Sequence, residues 1–124
     1  MSKAVNYAWL RYCPFPDTGE FANVGVVTYC PQDGALSWRM ITDMGRVSAF
    51  FGGTDTRALA AALRRREESL AFCSLFVEIG EFGLEDFREM TRPREGMLTL
   101  GPPGAITSAC AKDAVDELFK RMLR

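Results

Sequence analysis

The stretch FANVGVVTYC, Phe21 to Cys30, limits the folds open to this chain more than any other. It is nearly apolar at every position and is small and β-branched from Ala22 to Val27. A strand made of such residues hides both faces and belongs in the middle of a sheet. Pro31-Gln32-Asp33-Gly34 follows at once. Its proline presets φ and its Asp-Gly pair tolerates positive φ, which together make a hairpin turn. Ala35 to Ile41 then returns as a partner strand. Aromatic-rich Asn6 to Tyr12, stopped by Cys13-Pro14-Phe15-Pro16, supplies a strand before it. These three strands predict an antiparallel meander.

Most of the remainder reads as helix. Thr42 to Gly53 predicts a short helix ended by Gly52-Gly53. Thr54 or Asp55 caps a long helix that runs from Thr56 to Phe72 or beyond. Its apolar stripe is Leu59, Leu63, Leu70 and Cys73, with Ala62 beside it. Arg66 falls inside that stripe, whereas Arg57, Arg64 and Glu68 point away. A charge placed there either meets a buried carboxylate or snorkels to an edge, and the cost of burying charge favours snorkelling. Ser74 to Gly83 fits neither the helical nor the strand period. Leu84 to Met90 predicts one or two helical turns, and Met97 to Leu100 a fourth strand stopped by Pro102-Pro103. Val115, Leu118, Phe119 and Met122 fall at i, i+3, i+4 and i+7 of a last helix. Asp113, Asp116 and Glu117 come early in it and Lys120, Arg121 and Arg124 late, as the helix dipole prefers. The expected architecture is a single α+β domain over residues 1–124. Its small, mostly antiparallel sheet combines the three-stranded N-terminal meander with a later strand. Two or three helices pack on it, including an amphipathic C-terminal one.

Composition narrows the chemistry. The chain has 124 residues, a formal net charge of −1 and no histidine. Lack of histidine removes the commonest general base and every Ser-His or Cys-His nucleophile. Cys13, Cys30, Cys73 and Cys110 show no CxxC spacing, so no metal or other cofactor is expected. The charge balance argues against nucleic acid as a partner. No apolar run approaches the ~20 residues that span a bilayer, and the N-terminus lacks a secretory pattern. These features predict a cytoplasmic protein with no membrane partner.

Two places concentrate polar groups. Arg11 ends the first strand, Asp17 and Glu20 sit in the connection, and Asn23 opens the second strand. Converging at one end of the sheet, they would form a polar pocket. There the carboxylates could hold a cation or do acid/base work, Arg11 could hold an anion, and Asn23 could orient a ligand. The plainer alternative is that Asp17 makes an Asx-turn, Glu20 pairs with Arg11 and Asn23 caps the turn. The second place is the loop Arg92 to Glu95, whose Arg92 and Arg94 could reach that pocket and hold a phosphate or carboxylate, or equally lie in solvent. Arg64, Arg65 and Arg66 read instead as a salt-bridged helix surface offset by Glu67 and Glu68. Phe50, Phe51, Phe72, Leu75 and Phe76 exceed what one helix face needs. They form either an exposed apolar patch for a partner or a second packing surface inside the domain.

The stretch LRYCPFPDTGEFANVGVVTYCPQDG resembles the N-terminal signature of the bacterial family called domain of unknown function 3037. Arg11, Tyr12, Pro14, Gly19, Glu20, Phe21, Asn23, Val24, Gly25, Val26 and Val27 carry the likeness. REGMLTLGPPGAI and AVDELFKRML are similar to its second block and closing helix. The resemblance implies a small protein often encoded beside HipA-like kinases, and hence an accessory or antitoxin-like role. The pattern this stretch resembles retains Arg11, Glu20, Asn23 and Gly25 together, which implies either a ligand site or a structural Arg–Glu–Asn network. The expected function is binding of another protein, such as a HipA-like kinase, through an apolar patch flanked by the arginines of the Arg92 to Glu95 loop, without catalysis of its own. The alternative is an enzyme or anion-binding domain using the hairpin residues. The oligomeric state stays open.

Overall fold

The computed structural model describes residues 2–94 and 96–123. It is an α+β fold with five strands and four helices, in the order β1 (Lys3–Tyr12), β2 (Ala22–Cys30), β3 (Ala35–Met40), α1 (Gly45–Phe50), α2 (Thr56–Glu78), α3 (Leu84–Met90), β4 (Leu98–Leu100), β5 (Gly104–Ser108) and α4 (Ala111–Met122). β3, β2 and β1 form the antiparallel meander, and β4 and β5 share the free side of β1. β4 lies beside Leu10 to Tyr12, and β5 beside Lys3 to Tyr7.

β2 is central, as its composition requires. Every residue from Val24 to Cys30 is buried. Alternate residues feed two opposite cores. Val27 and Tyr29 join Leu59, Leu63, Leu70, Val77 and Phe87 on the α2 and α3 side. Val26 packs with Val115, Leu118 and Phe119 of α4, and Cys30 with Ala111 and Ala114. Buried Thr28 donates its hydroxyl to the Ala111 carbonyl at 2.8 Å, which ties the start of α4 to the sheet. The molecule is therefore layered helix–sheet–helix.

A β-bulge interrupts the pairing of β1 with β2. Leu10 lies opposite Gly25, but Arg11 lies opposite Asn23, so Val24 is the extra residue. Val24 turns into the α2-side core, and the bulge brings Asn23 to Arg11.

Three regions differ from the sequence expectation or settle it. α2 continues to Glu78, so the stretch without a clear period is helix to that point, closed by Gly80 at φ 78°. Asp55 is its cap, accepting from the Ala58 amide at 3.0 Å. Pro102-Pro103 ends β4 but not the sheet, because Gly104 restarts the chain as β5. Glu95 and Arg124, read as part of the second polar loop and of the last helix, lie outside the described residues.

Candidate functional site

The two polar places occupy separate parts of the fold. At the hairpin corner, register sets Arg11 opposite Asn23. The Arg11 guanidinium lies flat on Phe21, 4.1 Å from the ring centroid. On its other side is Gly101, where an added Cβ would stand 2.7 Å from Arg11 Nε. A side chain at position 101 would therefore push the Arg11 guanidinium aside. Arg11 Nε is buried without a hydrogen-bond partner, and among the described residues the guanidinium meets no carboxylate.

Asp17 and Glu20 stand exposed in the β1–β2 connection. Thr18 does the work of the turn, donating its hydroxyl to the Phe15 carbonyl at 2.9 Å and accepting the Glu20 amide at 3.2 Å. Asp17 makes no Asx-turn, and Glu20 makes no ion pair with Arg11. The structure therefore brings together Arg11 and Asn23 but neither acid. Asn23 also lines a mainly apolar pocket of about 270 Å³ with Phe21, Arg46, Phe50 and Met122.

Arg92 and Arg94 lie elsewhere, past the end of α3, and line a cleft of about 370 Å³ between α2 and β4. α3 has only seven residues and cannot hold itself as a helix. It is pinned by Phe87, which is fully buried and stacked on Tyr29 with ring centroids 5.8 Å apart. Thr91 closes it, donating to the Phe87 carbonyl at 3.0 Å. Arg92 Nη1 and Arg94 Nη2 both approach Glu89 Oε1, at 3.5 and 3.6 Å.

The third arginine of this cleft is Arg66. Among the described residues it meets no carboxylate. It is half-buried on the core-facing stripe of α2, and its Nη2 donates to the Leu98 carbonyl at 3.0 Å. The residues on either side of β4 bond to the β1 edge, the Cys13 amide donating to the Met97 carbonyl and the Gly101 amide to the Trp9 carbonyl, so that the alternate Leu98 carbonyl points away from β1. The Leu98 carbonyl consequently faces the open edge, and Arg66 covers it. Burial pushes the Arg66 pKa down from its ordinary value. Ser69, Cys73 and Thr99 add polar atoms around an apolar floor that includes Leu70 and Met90. The sequence reading favours snorkelling to an edge for Arg66, and the guanidinium does reach the edge strand β4. The signal that placed it here was its position inside an apolar stripe.

The second half of α2 is apolar on its outer side as well. Phe72, Leu75, Phe76 and Ile79 recur at i, i+3, i+4 and i+7, and they are 62%, 57%, 40% and 69% exposed. At 100° per residue they lie opposite the buried Leu70 and Val77. Phe50 is exposed too, whereas Phe51 is core, in edge contact with Tyr12 and Phe15.

Among the described residues no group of three or more Cys, Asp or Glu could hold a metal ion, and no helix is long and apolar enough to cross a membrane. Neither a curated protein nor a solved structure matches the chain. The sequence profile of the family described as "Protein of unknown function (DUF3037)" matches residues 7–123, nearly the whole chain, and the protein belongs to that family.

Proposed function

We propose that the protein is a non-catalytic accessory domain that binds another protein along the outer face of α2. The observation that carries this reading is the Phe72, Leu75, Phe76 and Ile79 stripe. A surface helix normally turns charged residues outward, and large exposed apolar patches mark interaction sites. Phe72 and Phe76 touch each other edge to face at 5.1 Å, so they present one continuous aromatic surface. Helix-in-groove recognition uses anchors at this spacing. A HipA-like kinase is the partner that the family resemblance implies.

The test is recovery of partners from native lysate on immobilised wild type and on the double variant Phe72→Glu/Phe76→Glu. A stoichiometric protein held by wild type and lost by the folded variant is the expected result. Failure of wild type to hold any stoichiometric protein, or equal recovery by both, refutes the reading.

A further inference from the structure

We propose that the cleft between α2 and β4 is a binding site for a small oxyanion, a ligand bearing phosphate or clustered carboxylates. It is separate from the docking stripe. Three guanidinium groups, from Arg66, Arg92 and Arg94, line one cleft in a chain whose formal net charge is −1. Positive charge is therefore gathered here and is not a property of the whole surface.

Among the described residues, each of the three is undersupplied with negative charge. Among the described residues, Arg66 meets the neutral Leu98 carbonyl and no carboxylate, through one N–H of its fork. Arg92 and Arg94 share a single carboxylate oxygen, Glu89 Oε1, at 3.5 and 3.6 Å. A strong charge-assisted N–H···O bond is about 2.7–2.9 Å long. Arg94 also reaches the Glu89 carbonyl, at 3.3 Å. Glu89 thus occupies the position of an incoming anion and holds it loosely.

The remaining features suit a small ligand. About 370 Å³ falls in the range of ligand pockets, and an apolar floor with a few convergent polar groups is their usual make-up. Guanidinium forks match phosphate and carboxylate oxygens in pairs. Seating Arg66 on the core-facing stripe fixes its base, because Leu63 and Leu70 on either side are buried. A site built this way holds one half-buried cation and sets two exposed ones beside it.

The experiment is thermal unfolding with increasing pyrophosphate or citrate against sodium chloride at matched ionic strength. It is run on wild type, Arg92→Gln/Arg94→Gln and Glu89→Gln, all of which change exposed side chains. Wild type is expected to show a saturable rise in Tm, about 8 °C at a hundredfold excess over Kd. The double variant loses that rise. Glu89→Gln, which removes the internal competitor, lowers the half-saturating concentration several-fold. A response to pyrophosphate alone assigns a phosphate ligand, and one to citrate alone a polycarboxylate; both uphold the site. A shift that follows ionic strength alone, survives in the double variant or weakens in Glu89→Gln overturns it.

Discussion

Phe87 and Phe72 offer the same side chain in opposite situations, so truncating each to alanine tests whether the outer face of α2 serves the fold. Phe87 is fully buried, stacked on Tyr29, and anchors a helix of seven residues. Removing its ring leaves a cavity in the larger core, at a cost of about 3–5 kcal/mol. Phe72 is 62% exposed, and its one ring neighbour is Phe76. A buried aromatic pair adds roughly 0.5–1.5 kcal/mol, and less at the surface. Alanine also favours the helix over phenylalanine by about 0.5 kcal/mol. The net cost of Phe72→Ala is then within about 0.5 kcal/mol of zero, and the two variants should differ by about 3 kcal/mol or more.

Urea unfolding at low protein concentration, followed by the fluorescence of Trp9 and Trp38, reads this difference. With a slope of about 1.5 kcal/mol per molar urea, the midpoints should lie about 2 M apart, Phe72→Ala beside wild type. Phe87→Ala should also lose the oxyanion response, since it releases the helix that carries Glu89 and leads to Arg92. The reasoning fails if Phe72→Ala costs more than about 2 kcal/mol. That outcome would mean the outer stripe is packed within the folded protein and is not free for a partner.

Two further outcomes follow from single side chains. Cys110 caps α4 through its sulfur, which accepts from the Asp113 amide at 3.4 Å. A serine oxygen is the stronger acceptor and a preferred cap, so Cys110→Ser should raise stability by about 0.5–1 kcal/mol, seen as a Tm higher by a few degrees. Burial, and after it the charge of Asp86, raises the Tyr29 pKa above the ordinary 10.0. The folded state therefore keeps a proton that the unfolded chain releases near pH 10, so this stabilisation is complete below pH 10 and is lost as pH rises beyond it. Tyr29→Phe should flatten the alkaline fall of the urea midpoint, while an unchanged slope would exclude Tyr29 as its source.

The sheet was legible where burial writes a plain pattern. β2 is apolar on both faces, and the structure uses both, with Val27 and Tyr29 toward α2 and Val26 and Cys30 toward α4. β5 was not legible, because its residues alternate between half-buried and exposed and a Pro-Pro pair announces an end just before it. An edge strand with so little to hide leaves little trace in composition. The end of α2 was obscured for the opposite reason. Phe72, Leu75, Phe76 and Ile79 fill the outer face while Leu70 and Val77 fill the inner one, so no single period survives. The ambiguity in the pattern and the candidate docking surface are one fact: residues unneeded by the core had been added to the helix.

The candidate sites divide along a similar line. Arg11 and Arg66 both sit where neighbouring positions are apolar, and among the described residues neither finds a carboxylate. Sequence spacing marked Arg66 as out of place and Arg11 as a candidate pocket residue, but could not tell a sealed cation from an open one. That depends on the opposing surface, which comes from distant parts of the chain. Against Arg11 the chain brings Phe21 and Gly101, and its Nε is closed off between them. Against Arg66 it brings a three-residue edge strand and the exit of α3, which stop short and leave a cleft that two more arginines enter. A cation becomes a site only when space and further donors stand beside it. By that standard Arg11 locks the hairpin corner, and Arg66 with Arg92 and Arg94 is the group placed to receive a ligand.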